Sequence, residues 1–269
     1  MALRDFSKEK FDIIVLAGQS NGEGLGYGDA SRPYKPNDRV WQLNPDFTIQ
    51  MAQERVNKNC VQGNLALSFA RAYQQERLEE GRSLLILPAA VNGTGFADGR
   101  WIQTGDLYLR MMEMIRTALE LNPENRLVAF LWHQGETEVF AGESYEFHRE
   151  QLALLLRSVR EGFGVPELPV VAGDFCQEFK AKNAPACEPI VKAIRDVFLE
   201  FGGAFVETRG LRSNWSANAF HPQKRADIVH FCRESLYELG RRSSASRTTS
   251  SSSTRSRSSS RSTAIRSGV

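Results

Sequence analysis

The sequence is poor in cysteine and histidine, with only four of each among 269 residues. The cysteines lack the CxxC spacing that is typical of structural metal sites, so no such site is indicated. We expect ordinary buried or free thiols, with a bridge between Cys176 and Cys187 as the open alternative.

Long hydrophobic runs are also missing. No apolar segment approaches the roughly 20 residues that a membrane-spanning helix needs. The first such run begins at Phe11, is too short for a span and lacks the layout of a signal peptide. These absences predict a soluble, cytoplasmic protein with no membrane partner.

Charge is nearly balanced, but it is unevenly distributed. The formal net charge is +2, and residues 243–269 contribute five arginines and no acidic residue. Subtracting those five charges leaves residues 1–242 at a formal −3. A folded part of that charge is not expected to bind nucleic acid.

Residues 243–269 are rich in Ser, Thr and Arg and almost devoid of apolar side chains. Such a segment buries too little surface to offset the entropy of ordering it, so we expect a disordered tail. It is either a solvated tail with no folded role or an arm that binds RNA or another partner. The functional domain is expected to span residues 1–242.

Short β-rich runs alternate with longer amphipathic segments in this domain. Strands are predicted at 11–17, 40–43, 84–90, 127–132, 169–173 and 204–207, and helices at 65–78, 107–121, 145–159, 190–201 and 222–242. This alternation favours a parallel sheet covered by helices on both faces. Active sites in such sheets lie at the carboxyl ends of the strands.

Ser20 lies directly after the first predicted strand, in Gly18-Gln-Ser-Asn-Gly22. This segment matches the GxSxG pattern of a nucleophile elbow, but the pattern alone is weak. The α/β-hydrolase fold that uses the elbow needs several strands before it, and here about ten residues precede the first strand. Ser20 is instead expected at the carboxyl edge of the sheet, where the next helix can turn its amides toward an anion.

A serine nucleophile needs a base, and the chain offers His133, His148, His221 and His230. His148 lies in a charged helical stretch and is expected at the surface. His230 follows Asp227 by three residues, a spacing at which the carboxylate can fix the imidazole tautomer while the other nitrogen faces the serine. His221 has Asn218 at the same spacing and ranks second, because an amide cannot stabilise an imidazolium as a carboxylate does.

Two more polar segments follow predicted strands. The side-chain amide of Gln134 can donate to a developing oxyanion, and Glu136 can hydrogen-bond a histidine or a sugar hydroxyl. Gly93 would let a backbone amide approach a substrate closely. Trp101 can form the wall of a pocket, with core packing as an equal alternative. Each segment on its own could also be an ordinary polar loop.

Together these segments resemble a known family. They are GQSN (18–21), NGTG (92–95) leading to Trp101, WHQGE (132–136), and DIVHF (227–231) with ELGRR (238–242). In this order they resemble the carbohydrate acetylesterase branch of the SGNH hydrolases, which holds the acetylxylan esterases of carbohydrate esterase family six and sialate O-acetylesterase-like relatives. The resemblance covers residues 11–242. It implies a three-layer, flavodoxin-like α/β fold around a mostly parallel, five-stranded sheet.

The resemblance also implies the roles of the site residues. Ser20 would be the nucleophile and His230 the general base, with either Asp227 or Glu136 as the acid that orients the histidine. The further site residues it implies are the oxyanion donors Ser20, Gly93 and Gln134 and the substrate-binding residues Asn21, Trp101 and His133. Family members commonly have a GGT-type block where this chain has Asn92-Gly93-Thr94.

The implied reaction is two-step acyl transfer on an acetylated carbohydrate, with no metal and no organic cofactor. Two alternatives stay open: an esterase for a non-sugar ester, and a non-catalytic carbohydrate-binding protein that retains the fold. The sequence does not identify the sugar, the acetyl position or the oligomeric state.

Overall fold

A mostly parallel sheet forms the centre of the protein in a computed structural model that describes residues 5–57, 60–216, 218–221 and 226–258. The strands are β1 (Phe11–Gly18), β2 (Gly26–Asp29), β3 (Val40–Leu43), β4 (Ile49–Met51), β5 (Arg55–Asn57), β6 (Cys60–Gly63), β7 (Ser83–Pro88), β8 (Arg126–His133), β9 (Val170–Gly173) and β10 (Ala204–Val206). The helices are α1 (Ser20–Glu23), α2 (Leu65–Glu76), α3 (Asp106–Glu120), α4 (Glu136–Ala141), α5 (Tyr145–Gly162), α6 (Gln177–Lys182), α7 (Ala184–Glu200) and α8 (Arg233–Ser258), with a 3-10 helix at Asn218–Phe220.

The strand order in the main sheet is β10-β9-β8-β1-β7-β3-β4, and only β4 runs antiparallel to its neighbour. The expected α/β class with a mostly parallel sheet is therefore confirmed. The sheet has seven strands rather than five, because short strands such as β3 and β4 extend its edge. A separate antiparallel sheet has the order β2-β6-β5.

The core lies around β1, which pairs with β7 on one side and β8 on the other. All eight residues of β1 are buried, as expected for a central strand in a parallel sheet. Helix α2 packs on α8 and α5 packs on α7, and both α7 and α8 contact β9 and β10. The helices thus form two groups that pack against the sheet.

Gly18 allows β1 and β8 to come very close at their carboxyl ends. A Cβ at this position would lie 2.2 Å from the carbonyl oxygen of His133, and the φ angle of Gly18 is +119°. Any other residue would collide with the backbone of β8 and would adopt an unfavourable conformation. This approach places the loop that carries Ser20 next to the loop that carries Gln134.

The last helix begins later than the sequence predicts. It starts at Arg233, whereas residues 226–230 form a loop, so the expected helical start at 222 is wrong; residues 222–225 lie outside the described part. The amide of Phe231 and the carbonyl of Val229 are bound by Asn21, which holds this segment in a non-helical path.

The C-terminal end of α8 extends into the segment for which the sequence predicts disorder. The helix continues to Ser258, and Ser243 and Ser244 are buried. Residues 259–269 lie outside the described residues, and the domain boundary at residue 242 stays a prediction. The four cysteines are free and buried, so Cys176 and Cys187 do not form the bridge left open above.

Asp12 is a buried carboxylate at the amino end of β1 that joins three parts of the fold. Its oxygens accept hydrogen bonds from Arg82 Nε at 2.7 Å, Arg126 Nε at 2.7 Å and the hydroxyl of Tyr73 at 2.8 Å. Burial would raise the pKa of Asp12, but the hydrogen bonds from Arg126, Tyr73 and Arg82 lower it below the usual value.

We expect Asp12→Ala to lower the free energy of unfolding by about 3–5 kcal/mol, because it leaves the buried guanidinium of Arg82 without its carboxylate. Urea denaturation measures this loss. Asp106→Ala is the matched control, since it removes the exposed ion pair with Arg100 and exposed pairs contribute little. Equal losses in the two variants would contradict the role assigned to Asp12.

Candidate active site

Polar side chains collect where β1, β7 and β8 end. Ser20 is the first residue of α1, directly after β1, and is only 2% exposed. Gly93 lies in the loop after β7, and Gln134 and Glu136 follow β8. Neighbouring parallel strands end at the same edge, so these loops meet there as the sequence predicts.

Asn21 connects the serine loop to the histidine loop. Its side-chain nitrogen donates to the carbonyl oxygen of Val229 at 3.2 Å, and its side-chain oxygen accepts from the amide of Phe231 at 3.0 Å. The residue after Ser20 therefore binds both chain neighbours of His230. Asn21 is fully buried, so its amide holds these loops together.

His230 is paired with Asp227. Both carboxylate oxygens of Asp227 lie 2.9 Å from His230 Nδ1, and the side-chain nitrogen of Asn214 donates to one of them at 3.0 Å. Burial would raise the pKa of Asp227, but the hydrogen bond and charge of His230, with help from Asn214, lower it to about 2. An ionised Asp227 favours the tautomer with the proton on Nδ1, which leaves Nε2 as the acceptor.

No hydrogen bond joins Ser20 Oγ to His230 among the described residues. Catalytic hydrogen bonds are often long in free enzymes and tighten only when substrate is bound. The other histidine candidate, His221, lies farther from the carboxylate, with Nε2 at 3.6 Å from Asp227 Oδ2, and packs edge-on against Tyr27.

Glu136 contacts the serine loop instead of His230. Its carboxylate accepts hydrogen bonds from the side-chain amides of Gln19 and, at 2.8 Å, Asn21. It is 1% exposed, and His133 Nδ1 lies 3.8 Å away. Of the two carboxylates that the sequence leaves open, Asp227 is therefore the one that contacts His230.

The loop after β7 presents Gly93 in an exposed turn. In the described part of the chain, no acceptor binds the amide of Gly93. Thr94 fixes the turn, since its hydroxyl donates to the carbonyl oxygen of Val91 at 2.7 Å and accepts from Trp101 Nε1 at 3.0 Å. Gln134 is close by, with its side-chain nitrogen 3.4 Å from the carbonyl oxygen of Thr94.

Trp101 and His133 lie in the core behind these loops. Trp101 is fully buried and packs edge-on against Trp132. His133 is 1% exposed, and its Nε2 lies 3.2 Å from the carbonyl oxygen of Asp174. Both side chains support the polar loops from within, and their expected contacts with substrate stay predictions.

His148 is buried, so the expectation of a surface position is wrong. Although charged residues surround it in the sequence, the helical period places it with Leu152 and Leu155 on the inner face of α5. It packs against the ring of Phe96, and burial lowers its pKa to about 3. His148 is therefore neutral at pH 7.

A polar pocket of about 240 Å³ borders the serine loop, and the sequence gives no sign of it. A Cβ on Gly22 would lie 3.1 Å from the Cβ of Ala90, which lines the pocket. The lining residues include two arginines, one glutamate and five side-chain amides: Arg55, Arg110, Glu23, Gln42, Asn44, Gln53, Gln62 and Asn64. They come from separate segments, so only the fold brings them together.

Three charged residues line this pocket, Glu23, Arg55 and Arg110. Glu23 accepts from the amide of Asn92 at 2.6 Å and pairs with Arg55 at 2.9 Å. The guanidinium of Arg110 donates to the carbonyl oxygen of Ala89 at 3.1 Å, and its buried Nε has no partner among the described residues. Burial lowers the pKa of Arg110, opposed by the charges of Asp106 and Glu23. Arg110 thus has donor capacity that is not used by the protein.

A larger cavity of about 560 Å³ lies between α6 and α7 and is lined by none of the site residues that the sequence predicts. Its size does not make it the reaction centre, because neither the predicted nucleophile Ser20 nor the predicted base His230 lines it. None of the helices that the structure describes is both long and apolar enough to cross a bilayer.

A family model described as a sialic acid-specific acetylesterase family of carbohydrate esterases matches residues 10–248. The chain belongs to this family. The family indicated by the GQSN and WHQGE segments is thereby confirmed.

The individual relatives have low sequence identity to this chain. The probable carbohydrate esterase At4g34215 of Arabidopsis thaliana is 26% identical over 178 residues, which cover 59% of this chain and 66% of the relative. The structure of NanS is similar over 90% of this chain and 98% of its own, with a TM-score of 0.76 and 18% identity.

Two further structures share the fold. The structure of the Arabidopsis protein AT4G34215 has a TM-score of 0.66 at 20% identity and covers 88% of this chain and 98% of its own. XAC1771, a carbohydrate acetylesterase from Xanthomonas citri, has a TM-score of 0.58 at 13% identity and covers 87% of this chain and 55% of its own. At these identities the similarity shows a common fold.

Proposed function

We propose that the protein is a serine esterase that removes O-acetyl groups from carbohydrates. The observation that carries this proposal is the pairing of His230 with Asp227 in a loop that is hydrogen-bonded to Asn21, the residue after Ser20. A nucleophile, a base and a carboxylate that orients the base are the minimum set for acyl transfer through serine.

In the proposed first step, His230 Nε2 takes the proton of Ser20 as Oγ attacks the acetyl carbonyl. The amides of Ser20 and Gly93 and the side chain of Gln134 donate to the resulting oxyanion. The tetrahedral intermediate then breaks its bond to the sugar oxygen, which leaves with the proton from His230. Water attacks the acetyl-serine with the same histidine as base, releasing acetate and restoring the enzyme.

The two carboxylates have different roles in this proposal. Asp227 orients His230 and stabilises the imidazolium, since it contacts Nδ1 directly. Glu136 positions the serine loop through Gln19 and Asn21. Glu136 is thus a positioning residue, and it acts through the loop rather than on the substrate.

The polar pocket beside α1 supports a sugar as the alcohol part of the ester. Side-chain amides and guanidinium groups bind hydroxyl and carboxylate oxygens, and five amides and two arginines line this pocket. A short aliphatic ester would leave these groups without partners. The pocket therefore favours a sugar substrate over the non-sugar ester that the sequence leaves open.

We expect Ser20→Ala and His230→Ala each to lower kcat by about 10⁴-fold or more, because removal of one member disables the whole triad. The measurement is acetate release from p-nitrophenyl acetate, O-acetylated xylan and O-acetylated sialic acid. Ser7→Ala, an exposed serine ahead of β1, is the control. Full activity of Ser20→Ala would refute the proposal, and sugar binding by the wild type without any turnover would favour the non-catalytic alternative.

We expect Asp227→Asn to lower kcat by about 10³–10⁴-fold with little change in KM, since the amide no longer fixes the reactive tautomer. Glu136→Gln should cost less in kcat, because its effect passes through the serine loop. Steady-state kinetics at several pH values, with urea denaturation of both variants, compares the two carboxylates. A larger loss of kcat in Glu136→Gln would reverse their assignment.

We expect Arg110→Met to raise KM for the acetylated sugar by about 10- to 100-fold, which corresponds to the loss of hydrogen bonds from a charged group. The effect on p-nitrophenyl acetate should be much smaller, because that ester carries no sugar. Arg116→Met is the matched control, being an exposed arginine on the same helix α3. An equal change in KM for both substrates would contradict the role of this pocket in sugar binding.

A further inference from the structure

Glu138 is a fully buried carboxylate in α4 that lies outside the sequence motifs of the site. It lies two residues after Glu136, but its contacts are different. One oxygen, Oε1, accepts from the backbone amides of Phe96 at 2.6 Å and Ala97 at 3.2 Å. Glu138 thus anchors the loop that carries Gly93.

The other oxygen of Glu138 binds Gln134. Oε2 accepts a hydrogen bond from the side-chain nitrogen of Gln134. Among the described residues, the only other hydrogen-bond partner of that nitrogen is the carbonyl oxygen of Thr94 at 3.4 Å. The side-chain oxygen of Gln134 is buried and has no partner in the described part of the chain. The orientation of this amide therefore depends mainly on Glu138.

Gly95 shows how closely the loop, the carboxylate and the amide are packed. A Cβ at this position would lie 2.3 Å from Glu138 Oε1 and 2.8 Å from the side-chain nitrogen of Gln134. No side chain fits between them, so the backbone of the loop rests directly on the pair.

In the described part of the chain, Glu138 is surrounded by hydrogen-bond donors and has no lysine or arginine partner. Burial raises its pKa, although the hydrogen bonds from Gln134, Ala97 and Phe96 oppose this. Of the described histidines, His148 lies beside it, with Nδ1 at 3.9 Å from Oε2 and a pKa lowered by burial to about 3. Glu138 therefore does not form a stabilising ion pair.

We infer that Glu138 is a positioning residue that holds two parts of the oxyanion hole, the Gln134 amide and the Gly93 loop, at a fixed separation. The inference rests on the proposed function, because the oxyanion hole has meaning only for acyl transfer. Oxyanion donors act through geometry fixed before the reaction, so a misplaced donor loses its contribution. One carboxylate that binds both elements fixes their relative position with a single side chain.

The test uses the full-length protein with Glu138→Gln, Gln134→Ala and the double variant. Glu138→Gln keeps the size of the side chain and the acceptor for Phe96 and Ala97, but it turns a donor toward the nitrogen of Gln134. We expect kcat for acetyl esters to fall by about 10²–10³-fold, the cost of one oxyanion donor, with KM nearly unchanged.

Two further readouts separate positioning from a merely structural role. Affinity for phenylboronic acid, whose tetrahedral adduct with serine carries the charge of the intermediate, should fall together with kcat. The double variant should cost no more than Gln134→Ala alone, because Glu138 acts through Gln134. Asp12→Ala is the stability control. It lowers the free energy of unfolding, but Asp12 lies at the amino end of β1, far from the site, so kcat should be unchanged.

Gly95→Ala is the second variant should Glu138→Gln fail to fold, since its methyl group forces the carboxylate and the amide apart. It should lower kcat in the same manner. Unchanged kcat in a folded Glu138→Gln or Gly95→Ala, or additive losses in the double variant, would overturn the inference. A wild-type protein that does not hydrolyse acetyl esters would instead refute the proposed function.

Discussion

The candidate site depends on the contact between the carboxyl ends of β1 and β8. The amide of Gln19 donates to the carbonyl oxygen of His133 at 2.9 Å, immediately after Gly18 has brought the two backbones together. Both strands then turn into polar loops, one with the serine and the other with Gln134 and Glu136. A bulkier residue at position 18 would separate these loops, and the hydrogen bonds between them would be lost.

Buried carboxylates connect the elements of the site, each in its own way. Asp227 binds the histidine, Glu136 binds the serine loop, and Glu138 binds the loop after β7 together with Gln134. A buried carboxylate is costly unless donors surround it, so each one fixes the donors that it needs. The rigidity required of a preorganised site thus follows from the cost of burying charge.

Much of the fold could be predicted because its central strands β1, β7 and β8 are long apolar runs. The strands β1 and β8 and the helices α2, α3 and α5 lie close to their predicted positions, since hydrophobic periodicity is strong in each. The short strands β2, β4, β5 and β6 were not predicted, because glycine and polar residues interrupt their three or four residues. The strands β3, β9 and β10 are equally short but lie close to their predicted positions. The sequence predicts too early a start for α8, because tertiary hydrogen bonds with Asn21 hold Val229 and Phe231 outside the helix.

The sequence by itself determined the family and predicted the site residues, because GQSN, WHQGE and DIVHF are local segments that can be identified from their residue types alone. It could not decide between Asp227 and Glu136, since both are carboxylates at plausible spacing. Only the tertiary structure decided which one contacts His230. The polar pocket and the contacts of Glu138 were likewise decided by the fold, because they join residues from separate elements, and a linear pattern records no contact between distant parts of the chain.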